Sequence, residues 1–117
     1  MKKKVFVCFL KPPVGTTFYL EGVRVALGLL SGDEEHEAYV AFLGSGVRSA
    51  LKGVDRAYSA SMLGPLLGVI AGGSLHVEKE SLDEEGFLES DLDEGFSTAT
   101  REEIRKAMSA ADVTLSF

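Results

Sequence analysis

The sequence predicts an α/β domain, a three-layer α/β/α sandwich around a mostly parallel sheet of four or five strands. Three observations carry that expectation. Val5, Phe6, Val7, Cys8, Phe9 and Leu10 form an unbroken apolar run, the pattern of a strand covered on both faces. From there to the C-terminus, strand-like and helix-like segments alternate, as parallel crossover connections require. The length of 117 residues suits one domain, residues 1–117, burying roughly two-thirds of its unfolded surface.

The first strand cannot continue past Lys11, because Pro12 and Pro13 lack amide donors and fix φ. Thr16 or Thr17 can cap a helix running to about Leu30. Its apolar stripe is Leu20, Val23, Leu27 and Leu30, and Thr17, Glu21, Arg24 and Gly28 form the opposite one. Ser31-Gly32-Asp33 stops it. Glu37 to Leu43 is the second strand, reached by a right-handed parallel crossover. Gly44-Ser45-Gly46 ends that strand, and a short helix from Val47 to about Lys52 follows.

Met62 to Ala71 is almost wholly apolar, with Pro65 in the first turn of a predicted helix that ends near Gly72-Gly73. A helix apolar on all sides needs burial on more than one of them. An oligomer interface is the preferred account; burial between the sheet and a neighbouring helix is the other. Ser74 to Glu78 is the third strand. Ser81-Leu82-Asp83-Glu84 is a capping box for a short helix that Gly86 terminates. Gly95 to Ser97 is a short fourth strand after an irregular acidic stretch. Thr100-Arg101-Glu102-Glu103 is a second capping box, opening a helix to about Ala110 that buries Ile104 and Met108. Asp112 to Phe117 closes the chain as the last strand.

The net charge of −6 is unevenly placed. Residues 1–60 carry eight Lys/Arg against six acids, and residues 61–117 carry four against twelve. No contiguous basic surface is offered, which argues against nucleic-acid binding. A single cysteine allows no intrachain disulfide and fits a reducing compartment. The apolar run behind Lys2-Lys3-Lys4 is too short for a signal peptide. No segment reaches the roughly 20 apolar residues of a membrane span, so the expected location is cytoplasmic, with no membrane partner.

Parallel strands would gather Lys11, Gly15, Thr16, Thr17, Gly44, Ser45, Gly46, Glu78, Lys79 and Thr98 on one rim. Two helix starts there offer backbone N–H groups and Lys11 offers a charge, which together suit a small anion. The same Gly and Thr residues are also what any strand-to-helix turn needs. Gly44-Ser45-Gly46-Val47-Arg48-Ser49 lacks the third glycine of a dinucleotide fingerprint, and no phosphate-binding loop of the GxxxxGK[ST] type is present. No cofactor is expected. Cys8 reads as a packed thiol. His36 and His76 are far apart in sequence, and the acids of 89–95 lack the glycine and terminal Glu positions of a calcium loop. Neither a metal nor a catalytic residue is predicted.

Four stretches stand out together: Lys11-Pro12-Pro13-Val14-Gly15-Thr16 with Glu21-Gly22, Phe42-Leu43-Gly44-Ser45-Gly46-Val47, Glu80-Ser81-Leu82 with Glu85-Gly86, and Asp112 to Phe117. In this order they resemble the small DsrE/DsrF-like (TusC-type) sulfur-relay proteins. The resemblance implies a three-layer sandwich assembled with copies of itself or with related family subunits. It also implies, in sulfur-carrying members, a persulfide-forming cysteine just after the third strand. Here that position is Glu78, which cannot form a persulfide. The expectation is therefore a non-catalytic oligomeric subunit or small-anion-binding protein in the setting of sulfur relay. The alternative is an active persulfide carrier using Cys8.

Overall fold

The structure, a computed structural model, describes residues 3–12, 18–31, 36–54 and 75–117. Strands β1 (Lys4–Phe9), β2 (Glu37–Phe42), β3 (Leu75–Glu78), β4 (Phe96–Ala99) and β5 (Val113–Ser116) form a five-stranded sheet. Its order is β4-β3-β2-β1-β5, and every pairing is parallel. The described helices are α1 (Phe18–Ser31), α2 (Lys79–Glu84) and α3 (Arg101–Ala110), with 3₁₀ segments at Gly44–Ala50 and Glu89–Asp91. None of them is long and apolar enough to cross a membrane.

Helices cover both faces of the sheet because alternate residues of its central strands are apolar on both sides. Toward α1, Val5, Val7 and Phe9 of β1 pack with Val40, Phe42, Leu75 and Val77, under Val23 and Ala26. Val47 and Ala50 of the 3₁₀ segment and Leu82 of α2 complete that cluster. Toward α3, Phe6 and Cys8 meet Ala41, Ala99 and Ile104. Phe6, Tyr39 and His76 stack across three neighbouring strands, with centroids 5.7 Å and then 4.2 Å apart. On α1, Glu21, Arg24 and Gly28 are exposed, as their stripe predicts. The side chains of Leu20, Leu27 and Leu30, residues 13–17 and the apolar segment Met62 to Ala71 lie outside the described residues.

Thr100 caps α3 as expected, its Oγ1 accepting from the Glu103 N–H at 3.2 Å. Gly86, at φ +82, ends α2. Four expectations need correction. The short helix expected from Val47 to about Lys52 is a 3₁₀ segment running Gly44–Ala50. Ser81 is not an N-cap: α2 begins directly after β3, Glu78 holds the cap position, and the Ser81 hydroxyl is committed to tertiary partners instead. Met108 is 42% exposed; the inward stripe of α3 continues from Ile104 through Ala107 and Ala111, which pack beside Phe6. The fourth strand begins one residue later than expected and runs to Ala99, because all four of its residues pair with β3.

The acidic stretch is irregular but anchored. Leu92 bridges to Leu51, and the backbones of Lys52 and Asp93 bond to those of Asp91 and Ala50. Arg48 reaches across to Glu85 at 3.3 Å and lies over the Phe87 ring.

Candidate functional site

Because all five strands run the same way, their C-terminal ends form one edge, the usual ligand side of an open α/β sheet. Leu10 and Lys11 leave β1 there, Leu43 to Gly46 leave β2, Glu78 ends β3, and Thr100 and Arg101 follow β4. The loop after β2 sits hard against the end of β1: a methyl group on Gly46 would run into the Phe9 carbonyl. That close approach, rather than a phosphate, explains the glycine. The Leu43 N–H bonds to the same Phe9 carbonyl at 3.0 Å, and the Ser45 hydroxyl donates to the Leu10 carbonyl at 3.0 Å.

Glu78 is the centre of the edge. Strand alternation turns Leu75 and Val77 toward α1, so His76 and Glu78 face the α3 side. There the carboxylate is only 6% exposed, beneath the start of α3. Arg101 donates to Glu78 Oε1 through Nη2 at 2.9 Å and Nε at 3.3 Å, and the Ser81 hydroxyl donates to the same oxygen at 2.5 Å. Ser81 Oγ in turn accepts the Gly44 N–H at 2.9 Å. Burial pushes the Glu78 pKa up, but the hydrogen bonds from Arg101 and Ser81 and the charges of Arg101 and Arg105 outweigh it. The net shift is downward, so the group is a carboxylate at neutral pH.

The starts of α3 and of the 3₁₀ segment on this edge are satisfied internally. The Arg101 N–H, first in α3, donates to both Glu80 carboxylate oxygens at 3.1 and 3.0 Å. A protein carboxylate thus occupies the position where a helix dipole would favour an anion. Gly46 N–H bonds to the Leu43 carbonyl at 2.9 Å. Of the residues expected to bind an anion, Gly44, Ser45, Gly46 and Glu78 are brought to one edge, where they bond to Ser81, Leu10, Leu43 and Arg101. Lys11 is exposed at the β1 end of the edge. Gly15, Thr16 and Thr17 lie outside the described residues. Thr98 lies in β4, its hydroxyl donating to Glu89 at 3.2 Å.

Sequence reasoning missed Arg101, which it treated only as the first residue of a capped helix. The signal was obscured because Arg101 and Glu78 meet only once β3 and β4 are neighbours in the register that places Glu78 beside Ala99. Cys8, the penultimate residue of β1, lies under α3, 5% exposed, with Sγ 3.3 Å from Ser116 Oγ. His36 accepts the Lys3 N–H at 3.0 Å through Nδ1. Burial against Tyr39 holds the His76 pKa below its ordinary 6.5, with the Glu103 charge pulling the other way. Among the described residues, no group of three or more His, Cys, Asp or Glu side chains is placed to hold a metal. A cavity of about 180 Å³ opens at the opposite end of the sheet, between Lys4, Glu37, Tyr39 and the alanines of α3.

The profile of the DsrE/DsrF-like family matches residues 3–117. No curated protein matches the chain. Among solved structures it is similar to the crystal structure of the ychN protein from E. coli, with TM-score 0.77 and 20% identity over 100% of both chains. It is also similar to MTH1491, a protein of unknown function from Methanobacterium thermoautotrophicum, with TM-score 0.73 and 14% identity over 100% of both chains. At these identities the two structures speak for the fold alone.

Proposed function

The chain belongs to the DsrE/DsrF-like family, and from that premise we propose that it is a non-catalytic, oligomeric subunit associated with sulfur relay that carries no sulfur itself. One observation carries the reading. At the C-terminal end of β3, the place to which the family resemblance assigns a cysteine, stands Glu78, buried and held by Arg101 and Ser81. A carboxylate bears no sulfur to form a persulfide, and this one is locked as part of the framework. Passing sulfur between proteins requires a thiolate that another protein's sulfur can reach. Cys8 lies inside the sheet–α3 cluster, with Phe6, Ala41, Ala99 and Ile104 about it. That placement counts against the reading in which Cys8 has taken over carriage.

The ligand side of the proposal narrows to the β1 end of the edge. Lys11 offers one exposed ammonium there, suited to a small, singly charged anion such as a carboxylate. The partners are copies of this chain or related family subunits.

Thiol reactivity tests the non-carrier reading. A maleimide should label Cys8 in the native protein far more slowly than in the unfolded one. Labelling at the unfolded rate would refute it.

A further inference from the structure

We propose that the outer edge of β5 pairs antiparallel with β5 of a second copy across a two-fold axis, joining two five-stranded sheets into one. The inference rests on the oligomeric reading above and names the surface through which it is built. Among the described strands, β5 pairs with β1 alone, at the end of the sheet. The Phe117 N–H donates to the Cys8 carbonyl at 2.9 Å and the Leu10 N–H to the Phe117 carbonyl at 2.7 Å. Alternation therefore turns the backbone of Val113 and Leu115 toward β1 as well, and that of Thr114 and Ser116 outward. Among the described residues, no backbone hydrogen bond reaches β5 from that side. Val113, Thr114 and Ser116 are exposed.

Proteins usually blunt such an edge with lysine, proline, a bulge or a covering loop. The opposite edge is treated that way: Phe96, Ser97 and Thr98 of β4 are half-buried, and the Glu89–Asp91 turn bonds to Thr98. Among the described residues, β5 has none of these devices. Residues 113–117, VTLSF, carry no charge, proline or glycine.

The strip is also complementary to itself, which selects a second copy over another partner. A two-fold axis at Leu115 sets Thr114 opposite Ser116 of the second copy, and each such pair exchanges both N–H···O=C bonds. The same register sets Val113 opposite Phe117 of the second copy, and Leu115 opposite its counterpart. These lie on the α1 side, where Leu115 and Phe117 already pack against the core. Apolar residues thus meet apolar ones, hydroxyls meet hydroxyls, and no like charges face each other.

The test combines sedimentation with amide exchange on the whole chain. In the wild type, Thr114 and Ser116 amides should exchange about tenfold or more slowly than in dilute, dissociated protein, approaching the protection of Val113 and Leu115. Thr114→Pro removes one outward donor without breaking a bond to β1, and should halve the mass of the assembly. If the wild type assembles but Thr114 and Ser116 exchange freely, or Thr114→Pro assembles unchanged, this interface is refuted while the oligomeric reading stands. A monomeric wild type at micromolar concentration refutes both. Should Thr114→Pro fail to fold, the wild-type exchange rates alone decide.

Discussion

Glu78 shows how a buried carboxylate at the C-terminal edge of a parallel sheet can be committed to the fold. Its lowered pKa has a stated sign. The folded carboxylate gives up its proton more readily than the unfolded one, so its contribution to stability is full above the ordinary value of 4.5 and is lost as pH falls through the folded value. His76 acts earlier. Its folded pKa lies below 6.5, so the unfolded chain takes up the proton first and stability begins to fall as pH drops below that value. Thermal melts across pH should show both declines in that order. Glu78→Gln should abolish the more acidic one and leave the other. Arg101→Met should lower Tm at neutral pH, because Ser81 alone cannot replace a guanidinium beside a buried carboxylate. In the Glu78→Gln background the same change should cost less, and a double-mutant cycle measures the difference. Additive effects would mean that the two groups are not coupled.

At the scale of elements, the sequence was legible wherever period and capping agreed. The apolar run of β1, the Thr100 cap of α3 and the glycine stop after α2 were all readable from local residue chemistry. Ser81 and Met108 were not, because tertiary partners decided them. The hydroxyl of Ser81 is worth more bridging Gly44 and Glu78 than capping its own helix, and the alanines of α3 let the helix sit on the sheet without Met108. Of the predicted rim, the gathering of Gly44 to Gly46 and Glu78 at one edge was legible from parallel strands, whereas the internal pairing of their polar groups depended on which strands are neighbours. Two substitutions test the α3 account by denaturant unfolding. Ile104→Ala should cost about 2–4 kcal/mol, the usual range for emptying a buried aliphatic site. Thr100→Ala should cost about 1 kcal/mol, the value of an N-cap hydroxyl. An Ile104→Ala loss below that of Thr100→Ala would mean that α3 is not packed on Phe6 and Cys8 as described. Gly46→Ala should be more damaging than its one methyl suggests, since the Phe9 carbonyl occupies the space; near-neutral stability would contradict that contact.

For the whole molecule, an all-parallel sheet normally opens its C-terminal edge to a ligand, and much of that edge is here closed by the protein's own groups. Glu80 sits on the first amide of α3, Ser81 on Gly44, and Arg101 on Glu78. The fold is that of its family, and Glu78 at the end of β3 fastens α3 to the sheet through Arg101. The most direct test is sulfur loading. The native protein is incubated with a cysteine desulfurase and cysteine, or with polysulfide, and its intact mass is measured without reductant. An unchanged mass is the expected result, under conditions where an exposed-thiol control protein gains sulfur. Addition of a sulfur atom to the wild type, absent in Cys8→Ser, would contradict the account and make Cys8 a carrier.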